Sequence, residues 1–251
     1  EKKDSYRRPW SFLRLLWSLR RARWDVVIDA SHAHQFSVTS ALLLGWTAAP
    51  RRIAHDRGHA AVVATDVVPP LPPEAPEVDG KLSLLRPLGI DVRGVPMVTE
   101  LGRDVPRIAA WCAGAATVAA AATPEVARLV GLVPGGRKPQ HRVDVRAFVA
   151  LAARARARGA VPVVLWGPGE EALAARVVEE GGAILAPPTD LEELAALMRG
   201  CAAIVANDTG PMHLAVAVGT PTIGVFAQPS GRRWGHDRPP HRVVHAAGRP
   251  L

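Results

Sequence analysis

The chain has 251 residues, 48% of them apolar and 22% charged, enough to bury one large core or two of roughly 125 residues each. No uninterrupted apolar stretch reaches the ~18 residues of a membrane-spanning helix, and Glu1-Lys2-Lys3-Asp4 is not followed by a signal-peptide pattern. Cys112 and Cys201 each lie in an apolar run without a CxxC partner, which argues against a disulfide framework or a zinc site and for two reduced, buried thiols in a cytosolic protein.

The net charge is +8, and most of the excess sits early: residues 1–60 hold eleven Lys or Arg against five Asp or Glu. Such a surface attracts phosphates, anionic lipid or nucleic acid. No aromatic-interleaved RNA motif, zinc finger or helix-turn-helix accompanies it, so nucleic acid is not expected as a partner.

In chain order, Trp10 to Arg23 has the spacing of an amphipathic helix, with Phe12, Leu13, Leu16 and Trp17 on one side and Arg14, Ser18 and Arg21 on the other. Packing against its own sheet is the favoured role, and contact with an anionic membrane surface the alternative. Asp25-Val26-Val27-Ile28-Asp29 suits a buried parallel strand. Ser37 to Trp46 reads as a helix and Arg51 to Ala54 as a strand. Pro69, Pro70, Pro72, Pro73 and Pro76 mark a loop. The Ala-rich run Pro106 to Ala122 reads as a helix that ends before Pro124. A second unit is expected from residue 126, giving domains 1–125 and 126–251. Val126 to Val133 leads into Pro134-Gly135-Gly136-Arg137-Lys138-Pro139. Helices follow over Asp144–Arg158, Glu170–Glu180 and from Thr189-Asp190 to Arg199, alternating with strands at Val161–Trp166, Ala183–Leu185 and Ala202–Ala206. A helix over Pro211–Val218 and a last strand over Thr220–Phe226 complete the pattern. Alternating strands and helices imply a parallel sheet covered on both faces. Ligands of such sheets lie beyond the carboxyl ends of the strands. Function is therefore sought after Val133, Trp166, Leu185, Ala206 and Phe226.

The strongest signal is Asn207-Asp208-Thr209-Gly210-Pro211-Met212-His213, followed by Gly219-Thr220-Pro221. A strand ends, a small-residue turn follows, and a helix starts at Pro211, a residue suited to a first turn. Asp208 or Thr209 can cap that helix. Its free amides and dipole make an anion site, Gly210 lets a phosphate approach the backbone, and His213 lies in the first turn where a ring N–H can reach the same anion.

Those segments resemble the C-terminal signature of glycosyltransferase family 9, the lipopolysaccharide heptosyltransferases. Trp24-Asp25-Val26-Val27-Ile28-Asp29 is similar to the family's YDLVID strand, and Ser40-Ala41-Leu42-Leu43 through Ala49-Pro50-Arg51-Arg52-Ile53 to the helix and strand after it. Val133-Pro134-Gly135-Gly136 and Gly167-Pro168-Gly169-Glu170-Glu171 resemble the first two donor-domain loops. The resemblance implies an α/β protein of GT-B fold, with two Rossmann-like domains whose parallel sheets face a cleft. It implies an inverting, metal-independent enzyme without cofactor. The second domain would take a nucleotide diphospho-sugar of the ADP-heptose type, and the first a phosphorylated glycolipid, the lipopolysaccharide core. Asp208, Thr209, Gly210 and His213 would surround the diphosphate, His213 stabilising the leaving group. Gly135, Gly136, Arg137 and Lys138 would belong to the first donor loop, and Thr189 and Glu171, or its neighbour Glu170, would lie near base and ribose. The location implied is cytoplasmic, with peripheral contact at the inner membrane as a further option.

The chain also departs from the family. Gln140 falls nearest the Lys of the first donor loop, leaving Arg137, Lys138 or Arg142 to supply the charge. Nothing before Asp25 resembles the family's opening strand and Gly-Asp loop, which carries the catalytic Asp. The sequence therefore reads as a fragment or a degenerate member with its base unassigned. Other constellations are weaker. Gly167-Pro168-Gly169-Glu170-Glu171-Ala172 fits a dinucleotide fingerprint, but places two carboxylates where a pyrophosphate would sit and lacks an acid on the next strand. His32-Ala33-His34 has no third metal ligand at helical spacing. No G-x-S-x-G elbow supports a serine hydrolase. A nucleotide-sugar epimerase and a non-catalytic nucleotide- or glycan-binding module remain the rival functions.

Overall fold

The computed structural model describes residues 9–120 and 128–246. It divides into two compact units at Val95/Pro96.

In the N-terminal unit, short β-branched runs surrounded by turns become three parallel strands, β1 (Val26–Asp29), β2 (Arg51–His55) and β3 (Asp66–Val68), in that spatial order. Ile53, Val68 and Leu84 form one small core under them, and Leu44, Ala54, Ala60 and Ala64 another. The helices are α1 (Pro9–Arg21), α2 (Val38–Trp46) and α3 (Glu77–Ser83). Ser37 caps α2 by accepting from Ser40 N at 3.2 Å. The contacts of α1 are chiefly with α2, not with the strands as expected. The Trp46 indole donates to Leu16 O at 2.7 Å and Arg20 to Trp46 O at 3.3 Å. These bonds lay α1 along α2, and Trp10, Leu13 and Trp17 remain more than half exposed.

The C-terminal unit is a six-stranded, all-parallel sheet. Its strands are β4 (Leu129–Val133), β5 (Val161–Val164), β6 (Ile184–Leu185), β7 (Ala203–Asn207), β8 (Thr222–Phe226) and β9 (Arg242–His245), in spatial order β6-β5-β4-β7-β8-β9. The near-continuous apolar runs are what a sheet covered on both faces requires. On one face pack α4 (Pro106–Ala120), α7 (Leu191–Arg199) and α8 (Gly210–Ala217), through Ile108, Leu197, Met198, Met212 and Ala215. On the other pack α5 (Val145–Arg156) and α6 (Glu171–Gly181), through Phe148, Ala152, Ala174 and Val177. Gly181 lets these two helices touch, because a Cβ there would lie 2.8 Å from that of Ala152. A short helix, α9 (Gly231–Trp234), precedes β9.

The strand β9 was not expected, since its sequence, Arg242-Val243-Val244-His245, follows a charged, Pro-rich stretch. The expected boundary at 125/126 also moves. Residues 96–105 and α4 belong with the second sheet. Arg199, at the end of α7, donates to Leu101 O at 2.9 Å, Val218 O at 2.9 Å and Thr99 O at 2.7 Å. Thr99 N donates to Ala217 O at 3.0 Å, and Gly102 N to Glu192 Oε1 at 2.6 Å. The expected end of the α4 helix at Ala122 and start of the next segment at Val126 lie outside the described residues.

Candidate active site

The chain enters the second sheet at β4, moves outward through β5 and β6, then returns to β7 on the other side of β4. The strand order therefore reverses between β4 and β7, and their carboxyl ends open the crevice where α/β sheets bind ligands.

Asn207 builds that crevice. It is the last residue of β7 and fully buried. Its side-chain amide donates to Pro134 O at 2.7 Å, and its Oδ1 accepts from Val143 N at 3.1 Å. One side chain thus pins both ends of the loop after β4. A buried amide satisfied on both sides is a rigid staple. Asp208 does not cap α8; its Oδ2 lies 2.8 Å from His141 Nδ1, on the same loop. Thr209 occupies the N-cap position in extended conformation with no side-chain bond to the helix. Pro211 has no N–H and Met212 N donates to Thr209 O at 3.1 Å, so Gly210 N is the first backbone donor of α8 left to a ligand, and Gly210, with open space where a Cβ would be, allows close approach.

Glu170 ties the loops after β4 and β5. Its carboxylate accepts from Gly136 N at 2.7 Å and from Gly167 N at 3.1 Å. It lies so close over Gly135 that a Cβ there would collide with it. Glu171 instead accepts from Gly169 N at 3.2 Å on the exposed side. Of the two acids it is Glu170 that joins the crevice. Arg142 donates to Gly136 O at 2.6 Å and so serves the loop's shape. Arg137 and Lys138 are exposed and form no ion pair among the described residues, so their charge faces solvent on the loop that His141 ties to Asp208. Gln140 contributes its carbonyl, accepting from Gln228 Nε2 at 3.2 Å, which brings the loop after β8 alongside. Thr189 precedes Asp190, and Asp190, not Thr189, caps α7 in a reciprocal box with Glu193.

His213, in the first turn of α8, has its Nδ1 2.8 Å from His236 Nε2, with the rings nearly perpendicular. Burial lowers the His213 pKa below 6.5, against the pull of the Asp208 carboxylate. His236 is lowered further, to about 4, by burial and then by His213, His241 and Arg238. The unit thus gathers the start of α8, two cations unpaired among the described residues and a neutral imidazole pair around the carboxyl ends of the strands, a constellation for an anionic ligand.

The sequence description of glycosyltransferase family 9 (heptosyltransferase) matches residues 12–247. The chain belongs to that family. It is an α/β glycosyltransferase with parallel sheets, and heptose transfer is the family's activity type. Solved structures of family members share the fold at low identity. A glycosyl transferase family 9 protein from Veillonella parvula superposes with a TM-score of 0.71 at 20% identity, over 94% of this chain and 68% of that one. E. coli ADP-heptose lps heptosyltransferase II gives 0.64 at 18%, over 94% and 74%. E. coli heptosyltransferase WaaC with ADP gives 0.68 at 19%, over 94% and 71%. No curated protein sequence matches significantly.

In family terms, the crevice gathers Gly135, Gly136, Asp208, Thr209, Gly210 and His213. Three residues with structural roles in it had no assigned role in the sequence: Asn207, His141 and His236. In the other unit, His32 Nδ1 lies 3.4 Å from Glu77 Oε1, a carboxylate 45 residues away that spacing alone does not reveal. No described helix is long and apolar enough to cross a membrane.

Proposed function

We propose that the C-terminal unit binds a nucleoside diphospho-sugar of the ADP-heptose type and that the enzyme transfers the sugar to a hydroxyl of a phosphorylated glycolipid, with inversion and without a metal. The observation that carries this reading is the start of α8, where Gly210 N and His213 lie beside Asp208, whose carboxylate holds the loop that carries Arg137 and Lys138 through His141. The binding of ADP by E. coli WaaC, whose fold this chain shares, supports the choice of adenine.

In such a transfer the bond between the anomeric carbon and the β-phosphate oxygen breaks, and negative charge grows on the departing diphosphate. Stabilising that charge is the main task of the donor site. Gly210 N and the positive end of the α8 dipole face that charge. Arg137 and Lys138 supply full charges, and His213 a ring N–H. Asp208 acts through His141 to fix the loop, and Glu170 holds Gly136 and Gly167 in place, next to where base and ribose are assigned together with Thr189. The N-terminal unit takes the acceptor, where its basic excess suits a phosphorylated glycolipid; peripheral contact with an anionic bilayer is part of the same proposal.

A thermal-shift titration of the chain with ADP, UDP, GDP and NAD tests the donor assignment. At 100 times the dissociation constant, ADP should stabilise by about 2.7 kcal/mol. That raises the melting midpoint by about 5–10 °C for a unit of this size. A selective response to UDP or GDP overturns the adenine assignment. No response to any of the four removes the donor site.

A further inference from the structure

The loop between α9 and β9 brings a second histidine against the one that the donor reading uses. We propose that His236 is a positioning residue for donor binding, whose Nε2, 2.8 Å from His213 Nδ1, fixes the His213 ring and leaves an N–H on His213 Nε2 for the diphosphate. The proposal rests on the donor-site reading above.

Two neutral imidazoles at this distance share one proton between them. If His236 Nε2–H donates to His213 Nδ1, the His213 proton sits on Nε2, where a phosphate oxygen can accept it. If His213 Nδ1–H donates instead, Nε2 is bare and repels the same oxygen. A bound diphosphate therefore selects the first arrangement. Should the ligand's charge draw a proton onto His213, both its nitrogens donate, and His236 Nε2 becomes the acceptor. Every arrangement that suits the anion uses His236 Nε2. A plain alanine or apolar residue at 236 leaves the His213 tautomer unspecified.

The surroundings keep the roles unequal. The groups acting on His236 are His213, His241 and Arg238, none of them acidic. His213 has the Asp208 carboxylate within electrostatic reach. The Asp208 carboxylate draws a proton towards His213 rather than His236, against the positive end of the α8 dipole. The geometry is enforced by packing: the strand after the loop aligns with β8, and Gly231 and Gly235 close on Val243 so tightly that a Cβ on Gly231 would lie 2.9 Å from it. This is how an oriented partner tunes a histidine that binds a ligand.

The test uses the full chain with His236→Phe, which keeps a ring without nitrogens, and His236→Gln, whose amide Nε2 can donate from a similar position. The imidazole 15N resonances of His213 are read without ligand, and ADP affinity is read by calorimetry. In the wild type, one tautomer with Nε2 protonated is expected. His236→Phe should give a mixture and weaken ADP by about tenfold, the worth of one misplaced hydrogen bond to a charged group. His236→Gln should recover most of both. An unchanged His213 spectrum in His236→Phe overturns the proposal whatever ADP does. A changed spectrum with unchanged affinity overturns the binding role. If the wild type binds no ADP, the donor reading fails and the binding role with it, while the spectrum still decides whether His236 fixes the ring.

Discussion

Asn207→Leu puts the crevice to a quantitative test. The wild-type amide is fully buried and makes its two shorter bonds to backbone groups, to Pro134 O and from Val143 N, besides a longer one to Gly135 O. Leucine fills a similar volume but satisfies neither. Each buried backbone group left without a partner costs about 1–3 kcal/mol, so the pair costs about 2–6 kcal/mol. For a protein of this size that corresponds to a fall in melting midpoint of about 5–20 °C. Calorimetric melting of the variant beside the wild type reads it directly. Asn207→Asp is the control: a carboxylate still accepts from Val143 N but turns an oxygen towards Pro134 O. It should melt closer to the wild type at acid pH, where the protonated carboxyl donates again. A leucine variant that melts within about 2 °C of the wild type, under 1 kcal/mol, refutes the staple.

Two further outcomes follow from the charges. Because Arg137 and Lys138 are exposed and form no ion pair among the described residues, Arg137→Ala with Lys138→Ala should leave ligand-free stability within about 0.5 kcal/mol. ADP affinity should drop about tenfold or more and lose much of its salt dependence, as calorimetry at two ionic strengths would show. The folded-state pKa of His236, about 4, lies below the ordinary 6.5, so the unfolded chain holds the proton more tightly. Stability from this residue is complete above pH 6.5 and is lost as the pH falls towards 4. Urea midpoints across that range should fall less steeply in His236→Phe, and equal slopes would show that His236 does not titrate in this way.

Much of this was legible in the sequence because it is local. The apolar runs of β4, β5, β7 and β8 and the helix starting beside Pro211 announce themselves within ten residues, and their alternation fixes a parallel sheet. What escaped is long-range. Asn207 reads as a turn residue; its bonds reach Pro134 and Val143, and only the packed sheet brings those loops together. His141 lies 67 residues from its partner Asp208, and His236 lies 23 from His213. Glu170 and Glu171 are adjacent, and no periodicity says which one turns inward. The Ala-rich helix before residue 121 carries no mark of which sheet it serves; buried Ile108, and Arg107 paired with Glu193 at 2.7 Å, decide it.

The fork of Arg199 has a mechanical side. Its guanidinium grips the chain at Thr99 and Leu101, four residues and more beyond the end of the first unit, and with the same hand holds Val218 at the tail of α8. Any pull on the connecting chain at Pro96 is therefore borne by a helix whose other end carries Gly210 and His213. The tether is fastened to the handle of the instrument it trails behind.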